Sequence, residues 1–117
     1  PNGQRMAQVW QGSFPWFYAP GGSPGSVAVG QFPPNGHGLY DMIGNVMELT
    51  DDCYNSSFDN APSNGKPWNS GNCNVRVIRG GAFNYAAEYL RSSKRNTVEK
   101  SGRKIDIGFR LAHSIEE

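Results

Sequence analysis

The sequence predicts an irregular, loop-rich α+β fold built from short, mostly antiparallel strands with little helix. Three observations carry that expectation. The 15 glycines and 8 prolines in 117 residues punctuate the chain too often for long regular elements. Several segments alternate apolar with polar or small side chains over only a few residues, which is the period of a half-buried strand. A single segment, Leu39 to Leu49, reads as a helix or helical turn, and Gly44 interrupts it.

Taken in order, Arg5 to Gly12 alternates weakly and reads as a short strand or extended segment. Phe14-Pro15 and the run Ala19-Pro20-Gly21-Gly22-Ser23-Pro24-Gly25 forbid regular structure, because proline fixes φ and removes a donor. Val27-Ala28-Val29 predicts a brief strand. Phe32-Pro33-Pro34-Asn35-Gly36 predicts a turn, since Asn-Gly accepts positive φ. After the Leu39–Leu49 segment, residues 51–74 form a long polar loop. Val75-Arg76-Val77-Ile78-Arg79 is a strand that Gly80-Gly81 ends or bulges. Tyr89 to Ser93 is a second strand candidate, Lys94 to Lys104 a charged, mostly exposed connection, and Ile107 to Ala112 a closing strand. No internal repeat is present.

Composition narrows the function. The length suits one domain or part of one. A formal net charge of +1 makes no electrostatic case for nucleic acid or an anionic membrane. The hydrophobic share is low at 37%, but three Trp and six Phe supply large buried areas, so a globular rather than disordered chain is expected. No run approaches the ~18–20 apolar residues of a membrane-spanning helix. The opening Pro1-Asn2-Gly3 has neither an initiator Met nor an apolar leader, which suggests a processed, trimmed or incomplete chain.

Cys53 and Cys73 form no CxxC or Cys/His cluster, and His37 and His113 lie far from both, so no zinc site is expected. A disulfide would close the polar loop between them and stabilise by about 3 kcal/mol in the chain-entropy account. Two free thiols are the alternative. A disulfide would imply an oxidising compartment, hence a periplasmic or extracellular protein. Asn55-Ser56-Ser57 matches a glycosylation sequon.

Asp41 and Glu48 flank the Gly44-Asn45 turn, which can aim carbonyls inward. Calcium takes six to eight oxygens from carboxylates, carbonyls and water, so this pair can serve as part of a calcium site. The bland alternative is a turn carboxylate and a helix-cap carboxylate.

Three segments in order carry a longer pattern: Trp10-Gln11-Gly12 with Phe14-Pro15; Phe32 to Thr50, reading FPPNGHGLYDMIGNVMELT; and Arg76-Val77-Ile78-Arg79-Gly80-Gly81, followed by Arg91-Ser92 and Gly108-Phe109-Arg110-Leu111-Ala112. Together these resemble the formylglycine-generating-enzyme, or sulfatase-modifying-factor, family. The resemblance implies a C-type-lectin-like fold, with residues 1–117 as the C-terminal portion of the family domain. The family's N-terminal half has no counterpart here, and apolar faces left uncovered would then favour a protein partner. It also implies one calcium site, made by the Asp41 and Glu48 side chains and the Gly44 and Val46 carbonyls, with Asn45 shaping the turn. A second family calcium site would fall on Gln8 and the loop Ala19 to Ser26, which holds no Asp or Glu, so it is not expected.

Formylglycine-generating enzymes bind copper through a cysteine pair after the Gly-Gly. Here Tyr85 stands about where the first cysteine would be and Tyr89 or Leu90 about where the second would be. Thiolates are the natural Cu(I) ligands, so neither copper nor that oxidation is expected and no catalytic residue is assigned. Met47 and Leu49 replace two family tryptophans, implying a core repacked with smaller side chains beneath the turn. Arg79, Arg91, Arg95 and Arg110 fall in family motifs and are expected to tie loops together.

Three functions follow. The favoured one is a non-catalytic structural or protein-binding subunit. The second is an enzyme of another branch, with catalytic groups in a missing half or on a partner. The iron-dependent branch takes its histidines from a separate helical domain that has no counterpart in this chain. The third is a diversified ligand-binding protein whose face would include Tyr85, Tyr89, Lys94, Thr97, Val98, Glu99 and Lys104.

Overall fold

The computed structural model describes residues 4–18 and 25–115. Four strands form one sheet: β1 (Met47–Tyr54), β2 (Asn72–Arg79), β3 (Asn96–Glu99) and β4 (Ile107–Gly108), in the order β3-β2-β1-β4. Both long pairings are antiparallel, as expected. The last is not: β4 runs parallel to β1, with Met47 opposite Ile107.

The apolar positions of β2 explain its central place. Val77 and Ile78 are both buried, so both faces of the strand are covered at this point. Ile78 packs with Met47 from β1, Val98 from β3 and Ala82, and Tyr85 and Ile107 close the rim. Met47 therefore enters the core as the repacking expectation requires. Leu49 does not: it stands 42% exposed. Between Leu49 and Cys53 the β1–β2 register shifts, and the Thr50 hydroxyl donates to the Val77 carbonyl across the break at 2.9 Å.

Several sequence expectations need correction. No α-helix occurs among the described residues, and the helical part is a single 3-10 turn, η1 (Ala87–Tyr89). Leu39 to Asp41 is irregular and Met42 to Val46 a series of bends, because Asp41, Gly44 and Asn45 adopt φ of 53°, 81° and 63°. A right-handed helix cannot pass through such residues. The remainder of that segment is the start of β1. Residues 5–12 are extended without strand pairing, although Trp10 N–H donates to the Tyr85 carbonyl at 3.0 Å. Val27 is not in a strand either; the Asn45 side chain takes both its N–H and its C=O, at 2.9 and 3.0 Å. Tyr89–Ser93 is η1 and a turn, and β3 arises inside the segment expected to be a charged connection. The closing strand is only two residues long.

The loop expected over 51–74 is shorter, because β1 and β2 extend into it and are joined by the Cys53–Cys73 disulfide. Cys53 N–H donates to the Trp68 carbonyl, and Trp68 N–H to the Asp52 carboxylate, both at 2.8 Å. Asn55 of the sequon spends its amide on the Ser70 carbonyl at 2.8 Å. Arg95 lies 4.2 Å from the Phe58 ring centre and 5.9 Å from that of Tyr54, tying the loop to the β3 side of the sheet. No helix is long and apolar enough to cross a membrane among the described residues.

Candidate functional site

The Gly44-Asn45 turn is held from four directions. Gly44 N–H donates to the Gly80 carbonyl at 2.7 Å, Asn45 N–H to the Gln8 carbonyl at 2.7 Å, and Phe83 N–H to the Asn45 carbonyl at 2.8 Å, while the Asn45 side chain grips Val27. Asn45 is buried and all of these groups are satisfied, so the turn is rigid by construction. Its role in shaping the turn is visible in these bonds.

A cavity of about 300 Å³ opens beside the turn, lined by Asp41, Gly44, Val46 and Glu48 together with Tyr40 and Arg110. The four residues singled out for calcium thus lie on one cavity. Asp41 Oδ2 accepts from Gly30 N–H at 2.8 Å, whereas its Oδ1 is buried without a hydrogen-bond partner. An unpaired buried carboxylate oxygen is costly, so Asp41 Oδ1 is a polar group for which the described residues supply no donor. Glu48 is held by Arg110, whose Nε donates to Oε2 at 2.8 Å and whose second nitrogen pairs with Oε1. That nitrogen also donates to the Asp41 carbonyl at 3.0 Å. The hydrogen bond to Glu48, ahead of its charge, holds the Arg110 guanidinium above its ordinary value. Arg110 thus fixes the orientation of the Glu48 carboxylate through both of its oxygens. The sequence motif placed Arg110 among structural arginines but held no sign of its partner, 62 residues away. Arg79 behaves similarly, donating to the Ser92 carbonyl at 3.0 Å.

Gln8, at the position of the second calcium site, is buried, donates to the Gly25 carbonyl at 2.9 Å and accepts from Arg5. Most of the accompanying loop, residues 19–24, lies outside the described residues. No group of three or more His, Cys, Asp or Glu side chains is placed to hold a metal among the described residues. Any calcium at Asp41 and Glu48 would therefore depend on carbonyls and water for the rest of its shell.

The segment after Gly81 runs into the core. Ala82 is fully buried, and Tyr85 packs against Met47 and its neighbours. Gly81 has φ of 65°, and a Cβ there would stand 2.0 Å from Leu90 Cδ2, so Leu90 sits directly over it. Burial, then the Asp106 carboxylate, pushes the Tyr85 phenol up. Asn84 donates to Asp106 at 3.2 Å, and its own Oδ1 is buried without a partner. The sequence offered no signal for this Asn84–Asp106 pair. Trp10 meets Phe14 and Tyr18 edge-on at 5.5 and 5.0 Å, and Phe14 meets Tyr89 at 6.4 Å.

The residues named as a possible binding face divide. Thr97, Glu99 and Lys104 line one depression. Lys94 is exposed on the turn before β3. Tyr89 is 52% exposed and meets Phe14, whereas Tyr85 faces the core and Val98 is buried in it.

Residues 1–115 match the sulfatase-modifying factor enzyme 1-like domain. Formylglycine-generating enzyme of Mus musculus is 34% identical over 125 residues, covering 96% of this chain and 31% of that protein. A second Mus musculus protein, inactive C-alpha-formylglycine-generating enzyme 2, is 31% identical over 113 residues, covering 91% of this chain and 32% of that protein. The solved structure of PvdO from Pseudomonas aeruginosa superposes with a TM-score of 0.78 at 33% identity, over 93% of this chain and 41% of that one. The chain thus spans about a third of the length of the curated relatives it matches.

Proposed function

The chain belongs to the sulfatase-modifying factor family, and from that premise we propose that it is a non-catalytic, calcium-stabilised module whose loop-rich surface binds another protein. One observation carries the non-catalytic half. The segment where formylglycine-generating enzymes hold their cysteine pair has Tyr85 against the core and Leu90 over Gly81, with no thiol after Cys73. A phenol and an isobutyl group cannot hold Cu(I) as thiolates do. The test is an oxygen-consumption assay with a cysteine-containing peptide and added copper. No aldehyde product is expected; turnover above the copper blank would sink the proposal.

The calcium half rests on the buried, unpartnered Asp41 Oδ1 beside Glu48 in one cavity. Asp41, Glu48 and the Gly44 and Val46 carbonyls would hold the ion, which would supply structural charge compensation and no chemistry. A ligand bound only by the native state stabilises it by about 2.7 kcal/mol at a hundredfold excess over Kd. Chelator should therefore lower the Tm by several degrees, added calcium should restore it, and Glu48→Gln should abolish the response. An unchanged Tm in excess chelator, with no calcium in the purified protein, would remove the ion from the account. We place the chain as the C-terminal portion of a C-type-lectin-like domain acting outside the cytoplasm, a setting with which the Cys53–Cys73 disulfide is compatible.

A further inference from the structure

Among the described residues β3 is the outermost strand at one side of the sheet, paired only with β2. Its register is regular, with Arg76 opposite Val98 and Ile78 opposite Asn96. Lys100 N–H donates to the Asn74 carbonyl at 2.7 Å just beyond the strand. Antiparallel pairs alternate between those that exchange hydrogen bonds and those that do not. Lys100 being bonded, Val98 and Asn96 turn their backbone groups toward β2. Thr97 turns its N–H and C=O to the open edge, as Glu99 does its N–H. The Glu99 carbonyl is taken by Gly102 N–H at 2.7 Å, which closes the strand's end.

Charge gathers in the segment that carries this strand. Residues 94–104 hold Lys94, Arg95, Lys100, Arg103 and Lys104 against the single carboxylate Glu99, a local +4 in a chain of formal +1, so everything else sums to −3. Among the described residues, the two ion pairs are Arg76–Asp51 and Arg110–Glu48, and neither uses these cations. Arg95 is committed to Phe58. The other four are exposed. Lys100 lines one shallow depression beside Val75, and Arg103 and Lys104 line another with Thr97. Unpaired backbone groups at a sheet edge are a template for strand addition, in which main-chain bonds give affinity and side chains give selectivity. Flanking cations bar such an edge to neutral or basic strands and leave it open to an acidic one.

We propose that the open edge of β3 docks an extended acidic segment of a partner protein, which adds as a fifth strand and places its carboxylates among Lys94, Lys100, Arg103 and Lys104. This names the partner chemistry for the binding surface proposed above and rests on it. Its failure would leave the chelation and oxidation results untouched.

The test measures binding of the full chain to a synthetic peptide of alternating Glu and Val, by fluorescence anisotropy at low and high salt. Single-stranded DNA and anionic vesicles serve as competing polyanions. Binding weakened by salt is expected, with Lys104→Glu costing about tenfold, or 1.4 kcal/mol, and Glu99→Lys tightening it. Thr97→Pro removes an outward N–H that no β2 partner uses, and proline is tolerated on such an edge. It should weaken the peptide at least tenfold while far-UV circular dichroism stays unchanged. Should the variant unfold, a peptide N-methylated at alternate residues, which cannot pair, gives the same test on the native chain. The proposal is overturned if the peptide does not bind, if blocking the edge leaves affinity unchanged, or if DNA or vesicles bind as tightly as the peptide.

Discussion

Replacing Gly44 with alanine will destabilise the protein by about 3 kcal/mol, near the upper end of single-substitution effects. Two terms combine. Gly44 has φ of 81°, where an L side chain costs about 1–2 kcal/mol. A Cβ there would also stand 2.5 Å from the Gln8 carbonyl oxygen and 3.1 Å from Val9 Cγ1. That oxygen is backbone, and it accepts the Asn45 N–H at 2.7 Å, so it cannot retreat without releasing the turn. Gly38→Ala is the control. It shares the positive φ, at 76°, but has nothing within 4 Å of its added Cβ. It should cost only the conformational term, about 1–2 kcal/mol. Chemical denaturation of both variants separates the two. Equal losses would mean that residues 8 and 9 do not press on the turn. If calcium stabilises the native protein, Gly44→Ala should also blunt the chelator response, since the turn carries two of the proposed carbonyl ligands.

The same turn shows how far local sequence could be read. Leu39, Met42, Ile43, Val46 and Met47 have helical spacing, yet Leu39, Met42 and Ile43 end up exposed and no helix forms. Periodicity lost to Asp41, Gly44 and Asn45 at positive φ, of which the Gly44-Asn45 pair was readable as a turn and Asp41 was not. The side chains lining the cavity were legible because the motif is continuous in sequence. The Arg110 brace on Glu48 was not, because an ion pair 62 residues apart leaves no local pattern. β2 was legible from its alternation. β3 was not, since Val98 is its sole large apolar residue and the charges around it read as solvent-facing. Its strand character comes from pairing with β2, and its position at the sheet edge is a tertiary fact.

Removing the Cys53–Cys73 disulfide, by reduction or by the double alanine variant, should cost about 3 kcal/mol, the chain-entropy value for a loop of roughly this size. The bridge spans 20 residues and joins the ends of β1 and β2, where Tyr54 pairs with Asn72 beyond a register break. Without it the far half of that pair holds the 55–71 loop through the Trp68–Cys53 and Trp68–Asp52 bonds, the Asn55–Ser70 bond and the Arg95–Phe58 stack. Most of these are half-exposed and contribute about 1 kcal/mol each at best. Beyond that global loss, the native state should loosen only locally. Hydrogen exchange should rise most at Cys53, Trp68 and Asn72 to Asn74, while Met47, Ile78 and Val98 should lose no more protection than the fall in global stability accounts for. Because β3 leans on β2 and Arg95 leans on Phe58, binding of the acidic peptide should weaken only if fraying reaches Arg76. A reduced protein with unaltered stability would mean that the polar staples alone hold the loop.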